Sequence, residues 1–133
     1  MLEPPDSRRV YLNATCTIYC VVSEEDYEWA IQWRWSFTMD KRKKKYYATR
    51  MTRGAQRVQI KIYMHKAILI ERMKVEPPTV KHVIGDHGNG ESRDNTRGNL
   101  DWATRRQNNL TALTHPSRQR RAPVVATQTD IPF

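Results

Sequence analysis

The stretch VKHVIGDHGNGESRDNTRGNLDWATRRQNN, residues 80–109, decides how this chain is read. Thr79 to Ile84 is a β-prone run. From Gly85 to Asn99 the chain turns polar and rich in Gly, Asn and Asp, residues that form turns for distinct steric and hydrogen-bonding reasons. Leu100 to Ala103 reads as a second short strand. Thr104-Arg105-Arg106-Gln107 is a T-x-x-Q capping box, which predicts a helix running to about Leu113.

That order places Asp86 and His87 at a strand end, Asn99 at the loop exit and Asn108 on the first turns of the helix. If the two strands pair antiparallel, the helix folds back across the hairpin and Asn108 faces Asp86 and His87. A carboxylate and an amide oxygen are hard ligands suited to Mg²⁺ or Mn²⁺. An imidazole titrates near pH 6.5 in the absence of perturbation, so His87 is suited to take a proton from water. One divalent cation and one histidine form a minimal set for phosphodiester hydrolysis. A competing frame, Val80-Lys81-His82, fails because Lys81 is no cation ligand. It also puts the Asn89-Gly90 and Asp94-Asn95 pairs at the wrong offsets.

Upstream, Ser23-Glu24-Glu25-Asp26 opens a short helix to about Trp33, with Tyr27, Ala30 and Ile31 on one apolar face. Trp33 to Phe37 and Tyr46 to Arg50 read as two strands around the basic run Lys41-Arg42-Lys43-Lys44-Lys45. Val58, Ile60 and Ile62 alternate as a third strand. Met64 to Met73 is helical, ended by Pro77-Pro78. Tyr11 to Val22 is β-prone, and residues 1–9 read as a disordered lead-in. The tail, 114–133, has the composition of a mobile basic segment. Trp29, Trp33 and Trp35 read as packing. For His65, packing and a phosphate contact at the site's edge weigh equally.

Composition narrows the class. The chain has 133 residues, 23 Lys+Arg against 14 Asp+Glu, and a formal net charge of +9. That length suits one small α+β domain with appendages. No apolar run approaches the length of a membrane span, and the first residues lack a signal-peptide pattern. Cys16 and Cys20 form no disulfide framework and no four-cysteine zinc site, and read as small hydrophobes. A basic protein of a reduced, cytoplasmic compartment has a polyanion as its expected partner, nucleic acid first, and the basic hairpin tip narrows that expectation to double-stranded DNA. No membrane and no small-molecule substrate is expected. A basic turn on a twisted β-ribbon has the dimensions to enter a DNA groove.

The run Asp86-His87-x-Asn89-Gly90, then Asp94-Asn95-x-Arg97-x-Asn99-Leu100-x-Trp102-Ala103-Thr104-x-x-Gln107-Asn108, resembles the HNH endonuclease motif of phage and bacterial homing-type enzymes. Ser23 to Trp29, Trp33-x-Trp35, Tyr47-Ala48-x-Arg50 and Ile62-Tyr63-Met64-His65-Lys66 are similar to the N-terminal half of those proteins, a DNA-binding module related to AP2 domains. The likeness covers about residues 15–112 and is most specific over 80–109. It implies an AP2-like strand–helix–hairpin module over 10–63 and a ββα-metal nuclease unit over 64–113. Asp86 and Asn108 would be ligands of Mg²⁺ or Mn²⁺, His87 the general base, and Asn99 the residue that ties the loop and orients the base. Lys41, Arg42, Lys43, Lys44, Lys45, Arg50, Arg105 and Arg106 would contact DNA. One departure stands out: such families often write Val-Asp-His, and here Gly85 precedes Asp86. Two rivals remain, a DNA-binding protein that has lost cleavage and a basic RNA-binding protein.

Overall fold

The computed structural model describes residues 1–108. The expected tail and the helix beyond Asn108 lie outside the described residues. The fold is mixed α and β, with small sheets and few helices. Strand β1 (Ser7–Tyr11) pairs antiparallel with β2 (Tyr19–Ser23), and β2 pairs parallel with the two-residue β7 (Asp94–Asn95). Strands β3 (Ser36–Asp40), β4 (Lys45–Arg53) and β5 (Gln59–Tyr63) form an antiparallel meander. Strands β6 (Ile84–His87) and β8 (Leu100–Ala103) form an antiparallel ribbon.

A 3-10 turn over Glu24–Asp26 leads into helix α1 (Tyr27–Ala30), shorter than the expected helix to Trp33. Helix α2 (Met64–Ala67) continues as a π-helical turn over Ile68–Arg72, where the Met73 amide donates to the Ile68 carbonyl at 2.8 Å. The wider turn leaves Met64, Ile68 and Leu69 fully buried. In the β3–β4 connection Asp40 Oδ1 accepts from the amides of Arg42 (3.0 Å) and Lys43 (3.2 Å), and Lys44 adopts a positive φ of 54°. That side-chain-to-backbone turn closes the hairpin without glycine.

The expected lead-in is corrected: β1 takes in Ser7, Arg8 and Arg9. Its apolar alternation is faint because arginines do the packing. The Arg8 guanidinium lies 3.7 Å from the Tyr27 ring centre and that of Arg9 lies 4.2 Å from the Tyr19 ring centre. Long basic side chains thus cover aromatic surface while their charged heads stay wet. A break at residue 63 is not a break in packing. A single cluster joins Val10, Cys20, Trp29, Trp35 and Ala48 to Met64, Ile68, Leu69, Leu100 and Trp102. The first ribbon, expected to belong with the upstream module, also shares its sheet with the 94–95 strand. Among the described residues no helix is long and apolar enough to cross a membrane.

Candidate functional site

The β6–β8 ribbon sets Asp86 opposite Asp101 and His87 opposite Leu100. The Gly88 amide extends the ladder by donating to the Asn99 carbonyl at 2.8 Å. At Gly90 the chain reverses with a φ of 80°, its amide bonded to the His87 carbonyl at 2.9 Å. A side chain is strained at that angle, and glycine is not.

Polar side chains hold the intervening loop in shape. Asn99 accepts from the Asn89 amide and donates to the Asp94 carbonyl, each at 2.8 Å. Asn89 Nδ2 donates to Asp94 Oδ2 at 2.8 Å, and Asp94 Oδ1 accepts from the Thr96 hydroxyl at 2.6 Å. The loop is then stitched to the N-terminal part of the chain. Asp94 and Asn95 pair with Val21 and Val22, and the Arg97 amide donates to Ser23 Oγ at 2.9 Å. The Arg97 guanidinium grips Asp26 through two bonds of 2.9 and 2.7 Å, and Arg72 adds a third at 3.0 Å. Burial pushes the Asp26 carboxyl upward, and the two guanidinium groups outweigh it, so its pKa is lowered.

His87 is 3 % exposed. Its Nε2 lies 2.8 Å from Asn95 Oδ1. Sequence reasoning gives the orienting hydrogen bond to Asn99. In the structure Asn99 shapes the loop, and Asn95, one residue past the Asp94 that the loop is built around, makes the bond to Nε2. The His65 ring packs against His87 with centres 4.7 Å apart, and the Tyr47 ring centre lies 6.1 Å from that of His87. Burial, followed by the neighbouring His87 and Lys66, holds the His65 pKa well below its ordinary 6.5. Packing is therefore the role the structure gives His65. The room for it comes from Gly85. A Cβ there would lie 2.5 Å from His65 Cδ2 and 3.0 Å from its Nε2. The departure from the Val-Asp-His pattern thus has a steric counterpart.

Asp86 is half-buried, with Oδ1 shielded from solvent, and Asn108 is half-buried. The capping box forms reciprocally: the Thr104 amide donates to Gln107 Oε1 at 2.9 Å and the Gln107 amide to Thr104 Oγ1 at 3.1 Å. Because Ala103 pairs with Ile84, the helix starts beside the entry to β6. Asp86 and Asn108 each carry an oxygen donor of the hard kind that suits a divalent cation. Among the described residues no group of three or more His, Cys, Asp or Glu is placed to hold a metal ion.

The basic residues divide. Lys41, Arg42, Lys43 and Lys44 are exposed on the hairpin tip. Lys45, expected with them, turns back: its Nζ donates to the Gly90 carbonyl at 2.6 Å. Ser92 Oγ adds a bond to the Tyr46 carbonyl at 2.5 Å, so the start of β4 clamps the 88–92 loop. Arg50, expected on DNA, is half-buried with its guanidinium carbon 4.2 Å from the Trp33 ring centre. An arginine that fills a gap between indoles and one that meets phosphate look alike in a sequence. Arg105 is exposed and Arg106 half-buried on the helix start. His82 bonds to Thr79 at 2.7 Å in the connection before β6. Cys20 is buried, which pushes its thiol up to about 12, whereas Cys16 is exposed rather than packed as a hydrophobe.

No family model, no curated protein and no solved structure matches the chain.

Proposed function

We propose that the protein is a DNA endonuclease that hydrolyses phosphodiester bonds with one divalent cation and a histidine general base, on an AP2-like module joined to an HNH-type ββα unit. The observation that carries this reading is the strand–strand–helix order itself. Asp86 and His87 share one strand of the 84–103 ribbon, and the capped helix bearing Asn108 leaves the partner strand directly. The sequence likeness over 80–109 supports it, as does the +9 charge.

Asp86 and Asn108 would hold Mg²⁺ or Mn²⁺, which supplies charge neutralisation at the scissile phosphate and the leaving oxygen. His87 accepts the proton of the attacking water as its oxygen bonds to phosphorus and the bond to the leaving sugar oxygen breaks. Lys41 to Lys44, with Arg105, meet backbone phosphates, which give affinity and register rather than sequence choice. A second reading, a DNA-binding protein without cleavage, is favoured by the 3 % exposure of His87, which leaves little approach for water.

Conversion of supercoiled plasmid to nicked or linear form separates the two. Cleavage that requires Mg²⁺ or Mn²⁺, stops with EDTA and falls by about 10²–10⁴-fold in His87→Ala with DNA affinity kept supports the enzyme. DNA retention with no cut at any divalent ion supports the silent binder. Preference for RNA over duplex DNA, with no cleavage of either, sinks both.

A further inference from the structure

A row of basic and aromatic side chains crosses the first sheet on the face opposite the one that gives Val10, Cys20 and Val22 to the core. Antiparallel register sets Tyr11 opposite Tyr19 and Arg9 opposite Val21. Residues directly opposite share a face, as do residues two apart on one strand, so Arg9, Tyr11 and Tyr19 lie together. Arg93 arrives from the other edge. Its carbonyl accepts from the Val21 amide at 2.8 Å, beside the pairing of Asp94 with Val21. The guanidinium carbons of Arg9 and Arg93 lie 4.2 and 5.5 Å from the centre of the same Tyr19 ring. The Tyr11 ring meets that ring edge-on, with centres 6.1 Å apart.

Three strands thus place two guanidinium groups about one aromatic ring. Like charges so placed repel unless an anion joins them, and stacking on the ring holds each donor fork ready for one. Glu3 supplies a single carboxylate. Its oxygens lie 3.0 Å from Arg9 Nε and 2.7 Å from Nη2, the two-pronged grip that arginine also gives phosphate. Arg93 enters no ion pair among the described residues. Arg9 and Glu3 keep 45 % and 33 % of their side-chain surface exposed, and ion pairs as exposed as this one are weak enough to exchange.

We propose that Arg9 and Arg93 form a clamp for the backbone phosphates of double-stranded DNA, and that the Glu3 carboxylate fills the Arg9 half until DNA displaces it. The clamp rests on the duplex-binding part of the function proposed above, and not on cleavage. Two fixed donor forks side by side match a phosphodiester backbone, and the net charge of +9 favours a polyanion over a lone phosphate. Arg93 stands two residues before Asn95, the partner of His87, so the loop behind the site carries one half of the clamp.

The test measures binding of a DNA duplex of fixed length by the full chain over a range of salt, with EDTA present so that nothing is cut. Changing Arg9→Met and Arg93→Met together removes both charges and keeps bulk over Tyr19. The log–log salt slope is expected to fall by roughly 0.9 for each of the two phosphates no longer neutralised. Arg8→Met is the control. Arg8 lies on the same strand but on the opposite face, stacked on Tyr27 and paired with Glu24, so its loss leaves the slope of wild type. Glu3→Gln frees Arg9 and tightens binding by roughly 2- to 5-fold, the range for release of a surface ion pair. That gain vanishes when Arg9 is replaced by Met. A slope that the Arg9 and Arg93 changes leave unaltered overturns the clamp while DNA binding stands. So does an equal loss in Arg8→Met, which makes the effect one of general charge, or a Glu3→Gln gain that persists without Arg9. The expected slopes in a chain that never cuts uphold the clamp and reject the nuclease. Binding of RNA alone, or of no nucleic acid, rejects clamp and nuclease together.

Discussion

The imidazole of His65 occupies the space that a side chain on residue 85 would fill. A Cβ at Gly85 would come within 2.5 Å of its Cδ2, and the same ring lies 4.7 Å, centre to centre, from that of His87. Gly85→Val should therefore force His65 out of a packed site. Overpacking of this kind costs about 1–3 kcal/mol. His65→Ser makes room, so the double variant should be more stable than the sum of the two single changes predicts. Chemical denaturation of the four proteins in a double-mutant cycle checks this, and simple additivity would mean that the two positions do not compete for space.

A buried neutral His65 also gives stability a pH dependence. Its pKa is lowered on folding from the ordinary 6.5. The unfolded chain then binds a proton that the folded chain refuses, so stability falls as pH drops below that value. The slope approaches that of one proton, about 1.4 kcal/mol per pH unit. His65→Phe should flatten the stability curve between about pH 6.5 and pH 5 relative to wild type. Denaturation midpoints across that range decide the matter, and parallel curves would count against a buried neutral ring.

Asp26 links the first ribbon to the loop behind the site through Arg97 and Arg72, and its own side chain is fully buried. Asp26→Ala leaves Arg72 without its carboxylate and Arg97 with only the exposed Glu25, 3.0 Å away. Breaking a buried pair costs about 3–5 kcal/mol, and the lower end applies here because Arg97 and Arg72 keep 28 % and 34 % of their side-chain surface exposed. The lowered carboxyl pKa works in a lower window than His65. Its contribution is complete above the unfolded value of 3.8 and is lost as pH falls below it towards the native value. Thermal melts at neutral and acid pH test both statements. A loss under about 1 kcal/mol, far below the cost of a broken buried pair, or an unchanged acid limb, would refute the linking role.

The four outer residues of the basic turn should act separately from the fifth. Lys41, Arg42, Lys43 and Lys44 changed together to Ser should weaken DNA binding and lower the log–log salt slope by roughly 0.9 for each phosphate that is no longer neutralised. Lys45→Met should leave the slope nearly unaltered and slow cleavage instead, because it releases the Gly90 carbonyl. Binding isotherms over a range of salt, alongside turnover, distinguish the two effects. An equal slope change for Lys45→Met would place its amine on phosphate.

Cation dependence should follow the two oxygen donors. Under the proposed nuclease reading Asp86→Ala removes the charged ligand, so both cation affinity and cleavage should collapse. Asn108→Ala should hurt rate more than affinity. Asn108→His should keep partial activity, shifted towards softer divalent ions, since imidazole accepts these more readily than an amide does. Mg²⁺ and Mn²⁺ titrations of cleavage rate provide the measurement. If Asp86→Ala cuts as fast at the same cation level, Asp86 is not a ligand.

The second half of the 80–108 segment is legible in the sequence because its signals are local, whereas the strand expected over Thr79–Ile84 lies instead at Ile84–His87. The Leu100–Ala103 strand follows its composition, and the Thr104–Gln107 box forms as its spacing implies. Asn99 is legible as a loop clamp for the same reason. What escapes are relationships between distant residues. Asn95 carries the His87 bond because β7 lies against β2, and nothing in a two-residue strand announces that pairing. Arg8 and Arg9 hide β1 because cation–π packing reads as solvated charge. Gly85 carries a usable signal, a missing side chain beside Asp86, whose meaning needs the position of His65.

The parallel pairing of β2 with β7 has a consequence for biosynthesis. Val21 and Val22 find their strand partners at Asp94 and Asn95, far later in the chain. During translation the first ribbon emerges with one edge unsatisfied, and it stays so while the meander and α2 are made. Exposed strand edges recruit other strands, and such distant closure is slow to form. A ribosome stalled anywhere between these segments therefore holds an adhesive nascent chain. A fragment cut at residue 63 to isolate a binding module would carry the same open edge into the test tube.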